Sequence, residues 1–165
     1  MSMIIRDVSE PDLDAVLGLN QSEVPHVGSV DREKMRWYAA HASYFRVAIT
    51  EGELAAYLVG FRPGTDYTSP NYLWFCGHYD DFAYVDRIAV AKFARRSGIA
   101  SLLYDDFAAQ MPGTVGIMTC EVNVRPPNQS SMTFHQRLGF EQVGSLVSED
   151  GSKEVAMLSR DLPGR

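Results

Sequence analysis

The chain has 165 residues, of which 45% are hydrophobic, and a formal net charge of −6. A chain of this length can bury a core as one domain, residues 1–165, without metals or disulfides. The acidic balance argues against nucleic acid as a partner, because phosphate binding needs a dense surface of lysine and arginine. The two cysteines, Cys76 and Cys120, lie far apart and in no metal-ligand spacing, so neither a disulfide framework nor a metal site is expected.

The amino-terminal residues lack the long apolar region of a signal peptide. No run of residues approaches the length of a membrane span. We therefore expect a cytoplasmic protein with no membrane partner.

The first half of the chain predicts a strand, two helices and a β-hairpin. Ser9 can cap the first helix, whose first turn carries Pro11 and two acids, as the helix dipole favours. Asp31 can cap the second helix. Glu51-Gly52-Glu53 is a hairpin signal. The predicted elements are a strand at 3–8, a helix after Ser9, a helix at 32–41, and strands at 44–50 and 54–61.

The second half begins with a predicted loop at 62–81, which carries two prolines, two glycines and five aromatic residues. These aromatic residues either cover the sheet or face a substrate. Strands and helices then alternate, which implies parallel pairing inside a mixed sheet. The predicted elements are strands at 82–90, 114–123, 140–147 and 154–160, and helices at 97–110 and 128–138. On the helix at 97–110, the residues predicted to face inward are Ile99, Leu102, Leu103 and Phe107.

Residues 88–100 carry the strongest chemical signal. A strand runs into a basic loop with Arg95 and Arg96, and small residues then open a helix. Backbone N–H groups and a helix amino terminus would surround one point, which suits an anion. Gly98 and Ala100 keep side chains away from the path of a phosphate. An isolated match of this kind is more often a tight turn, and it is neither a Walker loop nor the dinucleotide fingerprint.

Two motifs in sequence order resemble those of the GCN5-related N-acetyltransferase (GNAT) superfamily. Arg95-Arg96-Ser97-Gly98-Ile99-Ala100 is similar to its Gln/Arg-x-x-Gly-x-Gly/Ala motif. Cys120-Glu121-Val122-Asn123, Asn128 and Phe134-His135-Gln136-Arg137-Leu138-Gly139-Phe140 together resemble its Asn … Tyr-x-x-Leu-Gly-Phe block. A branch of predicted acetyltransferases is similar in two further motifs, Tyr84-Val85-Asp86-Arg87 and Asn123-x-x-Pro126-Pro127-Asn128. The resemblance to this branch does not identify the acceptor substrate.

The resemblance covers nearly the whole chain and implies an α/β (α+β) GNAT fold. The expected architecture is a mixed central sheet of about seven strands, splayed between the fourth and fifth, with about four flanking helices.

The resemblance also implies transfer of an acetyl group from acetyl-CoA to a primary amine by direct attack on the thioester, with no metal. Main-chain groups at Ile88, Ala89 and Val90 are expected to bond the pantetheine arm and to polarise the thioester carbonyl. Asn128 matches the asparagine that commonly bonds the same arm. The residues expected around the pyrophosphate are Arg95, Arg96, Ser97, Gly98, Ile99, Ala100 and Ser101.

The reaction needs a base near the amine and an acid near the sulfur. Glu121 resembles the proposed base of ribosomal-protein alanine acetyltransferases, and Asp86 is the rival candidate. A structural ion pair of Arg87 with either carboxylate is an equally weighted alternative, and a base acting through water is a further one. His135 stands where many members have the candidate acid tyrosine, so it either donates the proton or only hydrogen-bonds coenzyme or backbone.

A different class of function also stays open, a non-catalytic acyl-CoA-binding sensor or regulatory module. A third possibility is a nucleotide-phosphate-binding domain without coenzyme A. It would require the match at Asn128 and Leu138-Gly139-Phe140 to be a coincidence. The acceptor could be a small amine, an amino acid, a protein amino terminus or a lysine, and a homodimer is one of the open oligomeric states. Candidate substrate contacts are Asn20, Trp37, Tyr72 and Trp74.

Overall fold

The computed structural model describes residues 2–164. Its strands are β1 Met3–Asp7, β2 Tyr44–Thr50, β3 Glu53–Phe61, β4 Ala83–Val90, β5 Ile117–Arg125, β6 Glu141–Val147 and β7 Glu154–Asp161. Its helices are α1 Leu13–Ser22, α2 Arg32–His41, α3 Pro70–His78, α4 Ile99–Gln110 and α5 Gln129–Arg137. Short 3₁₀ turns at Glu10–Asp12 and Lys92–Ala94 precede α1 and α4.

The seven strands form one mixed sheet in the order β1-β2-β3-β4-β5-β7-β6. The pairs β1–β2, β2–β3, β5–β7 and β6–β7 are antiparallel. β4 and β5 are parallel, and their paired residues are Ala83 with Met118 and Tyr84 with Thr119, at the amino-terminal ends of both strands. The predicted mixed sheet of about seven strands, with helices between them, is confirmed.

Local sequence signals explain where several elements begin and end. The Asp31 carboxylate accepts a hydrogen bond from the Lys34 backbone N–H at 2.8 Å, so it caps α2 as predicted. The turn between β2 and β3 places Glu51 and Gly52 at φ of 52° and 81°. Such a turn matches the twist of the strands that it joins.

The prediction of a loop throughout 62–81 is wrong, because α3 lies inside it. Pro70 occupies the first helical position, where its missing N–H costs nothing. Tyr72 and Phe75 lie one turn apart on α3 and are both buried. Packing of this short apolar face stabilises a helix in a segment that contains turn-forming residues at both ends.

The described residues divide into two compact units. The first covers 2–61 and 85–110, and the second covers 62–84 and 111–164. β4 thus begins in the second unit and continues in the first.

In the first unit, α4 supplies Ile99, Leu103, Tyr104 and Phe107 to the core. The Phe107 ring lies where a Cβ on Gly60 would stand, so β3 and α4 approach closely at this point. The prediction that Leu102 faces inward is wrong, since it is 44% exposed. Tyr104, the residue two positions later, is 1% exposed and packs in the core instead.

In the second unit, aromatic side chains of α3 and the start of β4 form a cluster. Phe75 lies 6.1 Å from Phe82 and 5.6 Å from Tyr84 between ring centroids. Tyr72 lies 5.8 Å from Tyr84 in the same measure. These contacts fix α3 to the strand that carries Tyr84.

Between residues 2 and 164, no helix is both long enough and apolar enough to cross a membrane.

Candidate active site

In the first unit, a loop joins the end of β4 at Val90 to the start of α4 at Ile99. Arg96 and Gly98 adopt positive φ angles of 62° and 82°. Residues other than glycine seldom adopt positive φ angles. At Arg96 and Gly98 these angles turn the chain tightly into the start of α4. A Cβ placed on Gly98 would meet no atom within 4 Å, so the space beside this glycine is open.

The same loop presents positive charge. Arg95 and Arg96 are exposed, and Ala100 is only partly exposed. The Arg95 guanidinium pairs with the Glu23 carboxylate, which follows the carboxyl end of α1. The first-turn N–H groups of α4 have no partner further back in the helix and suit an anion. Open space at Gly98, two arginines and a helix amino terminus together fit a phosphate group.

Asp86 and Arg87 form a buried ion pair on β4. The Arg87 Nε–H donates to Asp86 Oδ2 at 2.8 Å, and the two side chains are 10% and 4% exposed, respectively. The guanidinium also donates to Asn20 Oδ1 and the Gly28 carbonyl, both at 3.0 Å. Burial by itself would lower the pKa of Arg87, but the charge and hydrogen bond of Asp86, together with the nearby Tyr38 and Tyr57, outweigh burial and raise the pKa.

Asn20 links this pair to α1 and the segment after it. Its amide donates to the Gly28 carbonyl at 3.1 Å, and its Oδ1 accepts from the Tyr57 hydroxyl at 2.5 Å. Asn20 is fully buried. It therefore holds the segment between α1 and α2, and its expected role as a substrate contact is not supported.

In the second unit, Glu121 lies on β5 with two neutral donors around its carboxylate. The Tyr84 hydroxyl lies 2.9 Å from Oε1 and 2.8 Å from Oε2. The Asn71 amide donates to Oε1 at 3.0 Å. Glu121 is partly exposed, whereas Tyr84 is fully buried.

The strand register explains why Tyr84 reaches Glu121. Tyr84 pairs with Thr119, and Glu121 lies two residues further along β5. Because side chains alternate along a strand, Thr119 and Glu121 share one face. Asn71 joins them from the first turn of α3. No pattern in the sequence predicts Asn71 as a site residue, and Tyr84 was predicted only as part of a motif.

Helix α5 carries the remaining predicted residues of the second unit. Asn128 is the N-cap of α5, and its Oδ1 accepts from the Ser131 backbone N–H at 3.3 Å. His135 is 5% exposed, and its Nδ1 lies 2.7 Å from the Ser131 carbonyl oxygen. A carbonyl oxygen only accepts, so Nδ1 carries the proton and the neutral ring accepts at Nε2. Burial lowers the pKa of His135.

The aromatic candidates for substrate contact occupy different environments. Tyr72 is buried, and its hydroxyl donates to the Arg62 carbonyl at 2.8 Å. Trp74 is partly exposed and stacks on His78 with ring centroids 3.6 Å apart. Trp37 is partly exposed and stacks on His41 at 4.5 Å. Only the two tryptophans therefore keep accessible surface among these three aromatic residues.

Within 2–164, no group of three or more His, Cys, Asp or Glu side chains is arranged to hold a metal ion.

The chain belongs to the acetyltransferase (GNAT) family, because the sequence model of that family matches residues 13–140. Acetyl transfer is the general activity that this class implies. No curated protein sequence matches the chain significantly.

Solved structures of acetyltransferases share the fold. The ribosomal-protein-S18-alanine N-acetyltransferase of Escherichia coli is 15% identical, with a TM-score of 0.69 over 97% of this chain and 94% of that one. Ard1 of Thermoplasma volcanium is 20% identical, with a TM-score of 0.75 over 98% and 99%. Arabidopsis thaliana NAA60, solved with a bisubstrate analogue, is 14% identical, with a TM-score of 0.76 over 99% and 100%.

Proposed function

We propose that the protein is an acetyl-CoA-dependent N-acetyltransferase that transfers an acetyl group to a primary amine. Family membership supports the reaction class. The observation that carries the dependence on acetyl-CoA is the loop between β4 and α4, with positive φ at Arg96 and Gly98 immediately before the helix. This geometry presents backbone N–H groups rather than side chains to a phosphate.

When bound, acetyl-CoA would supply the thioester that the amine attacks. We assign its pyrophosphate to the first turn of α4 and the loop before it, residues 95–101, with Arg95 and Arg96 compensating the charge. The backbone of Ile88, Ala89 and Val90 would bond the pantetheine arm and orient the acetyl carbonyl. We also assign the arm to Asn128, whose amide nitrogen can donate while Oδ1 caps α5.

Glu121 is our candidate for the base that takes the proton from the amine. Tyr84 and Asn71 bond it as neutral donors, and it is partly exposed, so an amine could reach it. Asp86 is less suited to this role, because its charge is compensated by Arg87 inside a buried network. The ion pair that the sequence allowed thus supports a structural role for Asp86.

His135 has two proposed roles that make different demands on its charge. Donating a proton to the leaving thiolate requires the charged ring, whereas hydrogen bonding without transfer suits the neutral ring. Burial lowers the pKa of His135. We therefore propose that Nε2 accepts a hydrogen bond from coenzyme or water and that the proton for the thiolate comes from solvent.

The remaining assignments are proposals on the same basis. We propose one acetyltransferase domain, because the family match spans residues of both compact units. A cytoplasmic location, the absence of nucleic acid and membrane partners, and a homodimer stay predictions. The acceptor class is open among small amines, amino acids and peptide amines.

Calorimetric titration with acetyl-CoA and with CoA tests the coenzyme site. Gly98→Trp should abolish saturable binding, because its side chain would fill the open space at the loop. Gly52→Trp is the matched control, since Gly52 has φ of 81° and no atom within 4 Å of its Cβ position, but lies in the β2–β3 turn. It should bind both coenzymes as the wild type does. Failure of the wild type to bind either coenzyme would overturn the proposal.

Thiol release against a panel of polyamines, amino acids, aminoglycosides and short peptides tests catalysis. Turnover with one class of amine would identify the acceptor. Glu121→Gln should lower kcat by about 100-fold and leave the KM for acetyl-CoA within about two-fold, as expected for loss of a general base. Saturable coenzyme binding with no turnover on any amine would favour the sensor function instead.

A further inference from the structure

The Tyr84 hydroxyl has no part in the function proposed so far, although it makes two contacts with the candidate base. It lies within 2.9 Å of both Glu121 oxygens. Its single proton can therefore be donated to either oxygen without movement of the ring. The ring itself is fully buried in the aromatic cluster of α3 and β4, so the hydroxyl is held in place.

Asn71 approaches the same carboxylate from a second element. Its amide donates to Oε1 at 3.0 Å, and it is the second residue of α3. Tyr72, the next residue, is fixed in the aromatic cluster and so anchors the turn that carries Asn71. Glu121 is thereby restrained from two directions, by β4 and by α3.

We propose that Tyr84 and Asn71 are positioning residues that hold Glu121 in one orientation and keep it ionised until an amine arrives. This inference rests on the proposed function, in which Glu121 is the base. Hydrogen bonds to an ionised group are stronger than those to a neutral one. Both donors therefore stabilise the form of Glu121 that can accept a proton.

The two donors differ in what they do after the proton moves. In that step the amine nitrogen loses a proton and a Glu121 oxygen gains it, so the carboxylate becomes a neutral carboxyl group with an O–H to donate. The Tyr84 oxygen can accept that hydrogen bond, because a phenol is both donor and acceptor. The Asn71 NH₂ group only donates, so it favours the ionised form alone.

Other groups near Glu121 must be considered in any pH measurement. On its own strand, the Cys120 thiol has a raised pKa, chiefly through burial and then through the Glu121 charge. Across the antiparallel pair, β7 places the apolar Met157 opposite Glu121, and Arg160 on the same strand acts on the Cys120 thiol. Tyr84 on β4 and the neutral Asn71 on α3 also contact the Glu121 carboxylate. A shift of the acid limb that occurs in Tyr84→Phe and Asn71→Ala but not in the control variant is therefore assigned to Glu121 rather than to these neighbours.

The test uses Tyr84→Phe and Asn71→Ala, each of which removes one donor and keeps the local packing. Tyr72→Phe is the matched control, because its hydroxyl donates to the Arg62 carbonyl and not to Glu121. We expect the acid limb of kcat/KM for the amine to move up by about one pH unit in either test variant, from the loss of one hydrogen bond to a charged group. The KM for acetyl-CoA should stay within about two-fold, and Tyr72→Phe should leave the limb in place.

A second readout does not depend on turnover. In protein labelled with ¹³C at glutamate side chains, the Glu121 carboxyl signal is identified by its loss in Glu121→Gln. Its titration midpoint should rise in Tyr84→Phe and Asn71→Ala and stay unchanged in Tyr72→Phe. Unchanged midpoints in both test variants would overturn the inference, even in an active enzyme.

The two readouts separate failure of the inference from failure of the proposed function. If Glu121→Gln keeps full activity, the proposed base is wrong, and the positioning role falls with it. If Glu121→Gln is inactive while both test variants keep the wild-type pH profile and carboxyl titration, only the positioning role is wrong.

Discussion

The buried pair of Asp86 and Arg87 makes a quantitative prediction about stability. Replacing Arg87 by methionine would keep much of the aliphatic stem but remove three donated hydrogen bonds, to Asp86, Asn20 and Gly28. The Asp86 carboxylate, 4% exposed, would then be buried without that cation. Removing one partner of a buried ion pair typically costs about 3–5 kcal/mol. We expect Arg87→Met to lower the free energy of unfolding by that amount.

Two of the acceptors lose less than Asp86 does. The Gly28 carbonyl keeps the Asn20 amide at 3.1 Å, and Asn20 Oδ1 keeps the Tyr57 hydroxyl at 2.5 Å. Most of the loss should therefore come from the charge on Asp86. Asp86→Asn removes that charge at constant shape, so the double variant should be less destabilised than the sum of the single variants by at least about 1 kcal/mol.

The assay is urea unfolding near pH 7, followed by far-ultraviolet circular dichroism and tryptophan fluorescence. Glu121→Gln is the comparison, and it should cost less than about 1 kcal/mol, because its two neutral donors can still bond an amide oxygen. Additive effects of the two single substitutions, or a loss below about 1 kcal/mol for Arg87→Met, would refute a structural role for the pair. The same result would return Asp86 to the candidates for the base.

Three further predictions concern the titration of a buried histidine, and the geometry and charge of the loop between β4 and α4 that we propose to bind coenzyme. Burial lowers the pKa of His135, so the unfolded chain gains the proton first as the pH falls. The contribution of the buried neutral ring to the free energy of unfolding is therefore complete above the ordinary histidine pKa of about 6.5 and is lost below it. Urea unfolding should therefore show a larger loss of stability between about pH 7.5 and pH 5.5 in the wild type than in His135→Asn, and equal losses would contradict the burial argument. Gly98→Ala should lower the free energy of unfolding in urea by about 1–2 kcal/mol, because Gly98 has a φ of 82°. Gly98→Asn should lower it less, because asparagine tolerates this region. Equal losses in the two variants would indicate a steric clash instead. Glu23→Gln releases Arg95 from its ion pair and should tighten acetyl-CoA binding, measured by calorimetry, by up to about five-fold, which corresponds to the energy of a surface ion pair. Weaker binding would instead show that Glu23 orients Arg95 correctly.

The sequence was sufficient to predict the strands and most of the helices in their order along the chain, because hydrophobic periodicity and capping residues act locally. Asp31 at the start of α2 and the turn before β3 are examples. α3 was missed because its stability comes from packing of Tyr72 and Phe75 against Tyr84 of β4, which no local pattern reveals.

The phase of α4 illustrates a second limit. Leu102, Leu103 and Tyr104 are consecutive and all apolar enough to be buried, so hydrophobicity alone could not rank them. The helix turns Leu103 and Tyr104 inward with Ile99 and Phe107, and Leu102 outward. The core thus buries Tyr104 and leaves Leu102 exposed. Which of the two is buried depends on the volume available in the folded unit.

The loop between β4 and α4 could be predicted because its residues are contiguous. The environment of Glu121 could not be predicted, since Asn71 precedes it by fifty residues and lies on α3, where the sequence predicts a loop. Tyr84 required the register of β4 with β5, which sequence spacing does not specify. The sequence left the partner of Arg87 open, and the ion pair with Asp86 became evident only in the structure.

The contact between Gly60 and Phe107 constrains how this sequence can change. The Phe107 ring occupies the volume that a side chain at position 60 would need, so the two positions share one space. Enlarging position 60 should be tolerated only when position 107 becomes smaller by a similar volume. A library randomised at both positions should therefore yield folded chains along a line of constant summed side-chain volume, with Gly60 and Phe107 at one end of it.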